Sequence, residues 1–479
     1  MSELKQKTVK GVVWSAVERF SVQGIQFVVM IFMARMLTPD DYGLVGMLAV
    51  FIAISQSFID SGFSQALIRK QDRTEVDNST VFYFNIVLGL LFYCLLFVSA
   101  PLIAKFYKEP LLVDLTRVLG LSVLINSFVI VQRALLTVHI DFKTQAKAAL
   151  VASIVSGAVG LYMAATGFGV WALVAQQLVN LGLNAIMLWI LSKWRPQWVY
   201  SWTSFRELFS FGSKLLASGL LDTLYNNIYQ IVIGKLFSAS SLGYYSRASH
   251  FAEFPSSNLT GIMQRVTYPV LCSIQDDDER LASAYRRFLK LSAFVIFPLM
   301  VGLAAVAKPL ILVFLGEKWL FASTLLFIIC FSKMWYPIHA INLNLLQVKG
   351  RSDLFLRLEI IKKIIGVSVL CITVPRGLVA MCVGGIFTSL INLSVNTFYT
   401  GQLIKVGFVR QMMDLFPILF LSLMMGGLVY GFGHYFSLSP LVALIIGSLI
   451  GFLFYVSLAK ILKFAEWNEL MMIIRKKIV

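Results

Sequence analysis

Residues 86–104 and 415–432 are apolar runs without a single charged residue, and runs of this kind recur from one end of the chain to the other. A bilayer core about 30 Å thick is crossed by about 20 such residues in a helix. In lipid every backbone N–H and C=O needs a partner within the protein, which leaves helices or closed barrels. Barrel strands alternate apolar and polar residues, and these runs do not. The expected fold class is therefore an all-α integral membrane protein. Composition agrees, with 58% hydrophobic residues, 14% charged residues and a mean hydropathy of +0.80. A soluble domain carries about 25% charged residues to cover its surface.

Fourteen candidate spans follow: 11–36, 42–68, 80–103, 113–137, 147–166, 170–192, 212–237, 244–273, 291–315, 322–347, 358–375, 378–403, 415–433 and 440–461. The start of 358–375 is interrupted by Lys362 and Lys363, which can snorkel to the headgroups. Links rich in Lys and Arg alternate with links poor in them. The basic set includes Lys5/Lys7/Lys10, Arg69/Lys70/Arg73, Lys143/Lys147, Lys193/Arg195/Arg206, Arg286/Arg287/Lys290 and Lys349/Arg351. The positive-inside rule places that set, and with it both termini, in the cytoplasm. The net charge of +17 then belongs to topology and lipid headgroups rather than to nucleic acid. No cleavable signal peptide is expected, because a full-length span follows the polar residues 1–10.

The segment Arg35-Met-Leu-Thr-Pro-Asp-Asp-Tyr-Gly43 has a counterpart in Lys235-Leu-Phe-Ser-Ala-Ser-Ser-Leu-Gly243. Each closes one span and opens the next. The following spans end in Leu67-Ile-Arg-Lys-Gln-Asp72 and Leu271-Cys-Ser-Ile-Gln-Asp276. A parallel repeat of six spans is a transporter pattern. It gives an N-terminal six-helix lobe over 1–206, a C-terminal six-helix lobe over 207–405, and two extra helices with an interfacial tail over 406–479.

Ionisable residues inside spans are expensive and point to function. Here they gather in the first pair of spans of each repeat. Arg19, Gln23, Asn226, Gln230, Arg247, Arg265 and Lys333 are the candidates to line a hydrated cavity for an anionic, hydroxyl-rich ligand. Glu18, Asp60, Asp222 and Glu253 are the candidates for ion coupling, because a carboxylate in low dielectric can take up a proton or a small cation. The coupling ion would be H+ or Na+. The competing reading is interhelical ion pairs that only fix packing, such as Glu18 or Asp222 against Arg19 or Arg265. Helical spacing places Asp222 with Asn226, and His250 with Glu253, on common faces.

Signatures of catalysis are missing: there is no His-Glu-x-x-His, Gly-x-Ser-x-Gly or P-loop. The five cysteines are scattered without metal-ligand spacing. Neither catalytic residues, nor a metal, nor a cofactor is expected. Asn78-Ser-Thr80 has the glycosylation pattern but falls in a link assigned to the cytoplasm.

Short segments in a characteristic order complete the reading. They are Gly11-Val-Val-Trp14, the Arg35–Gly43 turn, Asp60-Ser-Gly-Phe-Ser64, Leu242-Gly-Tyr-Tyr-Ser-Arg-Ala248, Tyr268-Pro-Val-Leu271 and Gly316-Glu-Lys-Trp319. With them the chain resembles the polysaccharide flippases, of the O-antigen and colanic-acid type, in the multidrug/oligosaccharidyl-lipid/polysaccharide exporter superfamily. The resemblance implies two six-helix lobes, alternating access, and a bacterial inner membrane. The implied cargo is an undecaprenyl-pyrophosphate-linked oligosaccharide for surface polysaccharide or lipopolysaccharide, and the implied partners are bilayer lipids and other polysaccharide-assembly proteins. The alternatives are a multidrug/cation antiporter of the same fold, which the basic candidates disfavour, and a membrane glycan polymerase or glycosyltransferase, for which the outer links are too short.

Overall fold

The computed structural model describes residues 2–436 and 438–478, with side chains described at 14, 20–436 and 438–472. Every regular element among them is a helix. The chain divides into two compact units, 1–243 and 244–479.

The first unit contains α1 (Ser2–Met36), α2 (Pro39–Asp60), α3 (Phe63–Arg69), α4 (Glu75–Tyr107), α5 (Leu112–Leu119), α6 (Leu121–Ser127), α7 (Ile130–Val138), α8 (Phe142–Ala165), α9 (Val170–Leu191) and α10 (Trp202–Leu236). It therefore holds α10, the helix that the repeat places at the head of the second lobe, and α10 packs on α2, α3 and α4. Helix starts are chemically marked. At α2 the Thr38 hydroxyl accepts from the Asp41 N–H at 3.3 Å, while the Asp41 carboxylate accepts from the Thr38 N–H at 2.8 Å. Thr74 and Asp77 repeat the arrangement at α4. Such reciprocal caps satisfy N–H groups that a helix start leaves open. Glycines then let helices approach. A Cβ at Gly157 of α8 would stand 2.7 Å from Val29 of α1, and one at Gly160 would stand 2.9 Å from Gln176 of α9.

Two spans of this unit are broken where the sequence reading has them continuous. Ser61 and Gly62 adopt left-handed backbone (φ 41° and 69°) and divide α2 from α3. Gly62 sits so close to Gly212 of α10 that a Cβ there would stand 2.8 Å from the Gly212 carbonyl oxygen. The span read as 113–137 is three short helices, α5, α6 and α7. The link after α9 folds back on the start of α4. The Gln197 N–H donates to Ser79 Oγ at 2.9 Å, the Ser201 N–H to Thr80 Oγ1 at 3.0 Å, and Trp194 Nε1 to the Glu75 carboxylate at 2.6 Å. The side chains of Asn78, Ser79 and Thr80 are buried, which closes that sequon to glycosylation.

The second unit begins inside α11 (Ala239–Cys272) and continues through α12 (Asp278–Ala305), α13 (Ala307–Phe314), α14 (Leu320–Lys333), α15 (Tyr336–Val348), α16 (Ser352–Thr373), α17 (Leu378–Ile404), α18 (Phe408–Tyr435), α19 (Pro440–Ile461) and α20 (Ala465–Ile478). Polar side chains tie its centre. Arg286 of α12 grips Asp414 of α18 with two hydrogen bonds of 2.6 and 2.7 Å. Gln411 Nε2 donates to Thr400 Oγ1 at 3.0 Å and to Asn342 Oδ1 at 3.3 Å, and Asn342 Nδ2 donates back to Gln411 Oε1 at 3.2 Å. All three residues are buried, so α15, α17 and α18 are keyed by a closed polar network. The tail helix α20 is held to α12 by Arg287–Glu469 at 2.8 Å and Lys290–Glu466 at 3.3 Å. In α16, Lys362 pairs with Glu359 one turn earlier.

Ten helical segments among the described residues are long and apolar enough to cross a membrane. Four further long helices, α1, α10, α11 and α16, fall outside that set. They carry most of the polar and charged residues singled out by the sequence, with Asp60 on α2 and Lys333 on α14 as exceptions. Each of the fourteen segments read from the sequence is helical over most of its length.

Candidate functional site

In the first unit the candidates lie on α1, α2 and α10. Gln23 has its side-chain oxygen buried without a hydrogen-bond partner among the described residues. The side chains of Glu18 and Arg19 lie outside the described residues. The Asp60 carboxylate accepts from the Ser64 hydroxyl at 2.6 Å and the Ser64 N–H at 3.3 Å, so it caps α3 across the break. Asp222 and Asn226 are exposed on one face of α10, with Gln230 half-buried a turn beyond. On a neighbouring face the Thr223 hydroxyl meets the Ser57 hydroxyl of α2 at 3.1 Å.

In the second unit α11 carries an exposed stripe: His250, Glu253, Ser257, Gln264 and Tyr268, with Arg265 beside it and Arg247 half-buried at its head. The spacing is that of one helix face. Lys333, at the end of α14, pairs with Glu253 at 2.6 Å, and the Ser256 hydroxyl donates to the Lys333 carbonyl at 2.8 Å. A residue read as cavity lining and one read as ion coupling are thus each other's partners. Both remain partly open, with side chains 34% and 52% exposed. A charged group facing hydrocarbon costs about 2.5–3.5 kcal/mol at the bilayer centre. Glu253 and Arg265 on this helix are therefore costly to turn toward hydrocarbon.

His339 is held by neutral partners. Its Nδ1 lies 3.2 Å from Asn396 Nδ2 and its Nε2 lies 3.1 Å from Ser389 Oγ. Two further arginines lie in the span read as 113–137 and escaped the sequence reading. Arg117 lies over the Phe97 ring at 4.6 Å, and Arg133 donates to Asn126 Oδ1 at 3.2 Å and Asn184 Oδ1 at 3.1 Å. The signal was present: Gln132-Arg133 is as polar a pair as Glu18-Arg19. At the link after α3, burial acts to lower the pKa of Lys70. Hydrogen bonds to Glu207 (2.9 Å) and Asp77 (3.3 Å) outweigh it, and the ammonium is held above its usual range.

Residues 32–324 match the model of a family described as polysaccharide biosynthesis protein. The teichuronic acid biosynthesis protein TuaB of Bacillus subtilis (strain 168) is 29% identical over 359 residues, 74% of either chain. The lipopolysaccharide biosynthesis protein WzxC of Escherichia coli (strain K12) is 24% identical over 404 residues, covering 82% of this chain and 81% of that one. Among solved structures, the lipid II flippase MurJ in an inward closed conformation superposes with a TM-score of 0.76 at 18% identity, over 96% of this chain and all of that one (100%). An inward-facing MATE family multidrug transporter gives 0.62 at 16% identity, over 80% and 96%. At such identities the likeness to the two solved structures is one of fold.

Proposed function

This chain belongs to the polysaccharide biosynthesis protein family, and from that premise we propose that it flips a lipid-linked oligosaccharide from the cytoplasmic to the outer leaflet during surface-polysaccharide assembly. The family and the fold shared with a solved flippase support a multi-pass membrane transporter rather than an enzyme. The finer reading has fourteen spans in two six-helix lobes plus two, both termini in the cytoplasm of a bacterial inner membrane, and alternating access.

The observation that carries the proposal is the polar stripe of α11 with Lys333 beside it. Arg247, Arg265 and Lys333 suit a pyrophosphate, because Lys and Arg form charge-assisted hydrogen bonds to phosphate oxygens. In the first unit Asn226 and Gln230 offer amide donors and acceptors for sugar hydroxyls. In the resting arrangement Glu253 occupies the Lys333 ammonium. Cargo phosphate competes for that cation and releases the carboxylate to a proton or Na+, which supplies the differential binding a driven cycle needs.

The test is a strain lacking the protein. It should accumulate polyprenyl-diphosphate oligosaccharide and lose surface polysaccharide. The wild-type gene should restore export, while Arg247→Ala, Arg265→Ala and Lys333→Ala variants should insert normally and restore it poorly. Normal export by these variants would remove the anionic-cargo reading. The cation-antiporter reading predicts drug sensitivity in the deletion strain with an unchanged glycan-lipid profile.

A further inference from the structure

Within the first unit, Ile125 and Phe128 face Gly182, Ile186, Trp189 and Ile190 of α9 across a groove of about 480 Å³. Its walls are apolar and one is fixed, since Trp189 Nε1 donates to the Phe128 carbonyl at 3.0 Å and leaves only the indole ring to face inward. Ile186 and Ile190 are 54% and 66% exposed, so the groove is open along its length. At Gly182 a Cβ would meet nothing within 4 Å, so a larger side chain there would enter free space.

Charge lies close to this lining in sequence. The chain leaves α9 at Leu191, and the exposed Lys193 and Arg195 follow within four residues. The Arg195 guanidinium stands 5.5 Å from the centre of the Trp189 ring. Its Nη1 donates to the carbonyls of Ser192 at 2.7 Å and Trp194 at 2.8 Å, which anchors the cation near the Trp189 ring that lines the groove. An open apolar trough with an anchored cation near one of its lining rings complements a molecule with alkyl chains and one anionic head.

We propose that this groove is a binding site for an anionic glycerophospholipid, with an alkyl chain along α9 and the phosphate on Arg195. A lipid-linked glycan fits less well. A diphosphate with sugars needs a polar cradle, and the lining residues offer none beyond the single guanidinium with Lys193 near it. The inference stands apart from the cargo assignment, because it requires only that the chain lie in a bilayer. A basic side chain near a membrane surface contributes about 1 kcal/mol toward anionic lipid, so Arg195, the one cation anchored beside the lining, gives about a fivefold preference.

The test places a photoreactive benzophenone side chain at Ile186 in the full-length protein. The protein is reconstituted in vesicles of equal parts phosphatidylglycerol and phosphatidylethanolamine, and the mass of the adduct is read after illumination. Phosphatidylglycerol adducts should exceed phosphatidylethanolamine adducts about fivefold. Arg195→Gln should return the ratio to that of the vesicle, and Arg195→Lys should keep the preference. Gly182→Phe should abolish both adducts. Gly182 faces open space, so Gly182→Phe leaves packing intact, and Arg195→Lys separates loss of charge from loss of the link's hydrogen bonds. Adducts in vesicle proportion with Arg195 in place mean surrounding lipid only and overturn the proposal. So does a preference that survives Arg195→Gln, or displacement of phosphatidylglycerol by an equal amount of added polyprenyl diphosphate.

Discussion

Lys333 and Glu253 show how far single residues could be read. The sequence marks both as intramembrane charges, and the structure joins them at 2.6 Å across α14 and α11. Their pairing was illegible because 80 residues separate them and no periodicity links their helices. A pair this exposed contributes little to stability, on the order of 1 kcal/mol or less. Its position beside the α11 stripe argues for cargo binding instead. The exchange Lys333→Glu with Glu253→Lys keeps the pair and moves the cation to the other helix. The double variant should melt within a few degrees of wild type yet export poorly. Wild-type export by the double variant would reduce the pair to a packing contact. Asp222, exposed on α10 beside Asn226, is the first choice for coupling. Asp222→Asn should bind cargo while losing its dependence on the proton or sodium gradient in inside-out vesicles. Unchanged dependence removes Asp222 from coupling. Asp60 illustrates the opposite case, since its carboxylate is occupied in capping α3.

At the scale of helices, the repeated segments that end in Gly43 and Gly243 have a physical reason that the sequence alone could not supply. A Cβ at Gly43 would overlap the backbone of Ala239, and a Cβ at Gly243 would overlap the backbone of Pro39. The starts of α2 and α11 are therefore in reciprocal contact through matching positions of the two repeats. Leu242 adds to it by packing on Gly46 and Gly234. The helix starts themselves were legible, in Thr38-Pro39 and in Ser238, whose hydroxyl accepts from the Ser241 N–H at 3.1 Å. The partner of each glycine was not, because it lies in the other repeat. Gly43→Ala should cost about 1–3 kcal/mol through overpacking, whereas Gly219→Ala, which meets nothing within 4 Å, should cost nothing. Thermal melts of the purified proteins compare them, and equal midpoints would show that the contact yields freely. The break at Ser61–Gly62 was hidden for a related reason. An apolar run reads as one helix unless its backbone geometry is known, and the left-handed residues lie against Gly212 on a distant segment.

Across the whole molecule, the class and the helices were legible because lipid imposes one rule on every segment, that backbone hydrogen bonds close within the protein. The number of crossings is harder to read, since α1, α10, α11 and α16 are less apolar than the ten clear spans. Their polarity is what the proposed cargo path requires, and with them the count rises from ten to fourteen. Labelling at two sites decides the matter. Between the link after α9 and the end of α18 lie the clear spans built on α12, α14–α15, α17 and α18, together with the polar helices α10, α11 and α16. If all of these cross, the number is odd and the two sites lie on opposite sides. If only the clear spans cross, or if one polar helix fails to, the number is even and the sites share a side. Trp198 and Tyr435 are 93% and 85% exposed and suit single cysteines, once the five native cysteines, of which Cys94 and Cys371 are exposed, have been replaced. A membrane-impermeant maleimide added to intact cells should label Tyr435→Cys and leave Trp198→Cys untouched until the membrane is opened. That result agrees with the basic Lys193 and Arg195 lying in the cytoplasm. Labelling of both sites from outside, or of neither, would mean that an odd number of the polar helices stays on one side of the membrane, and the fourteen-span arrangement would fall.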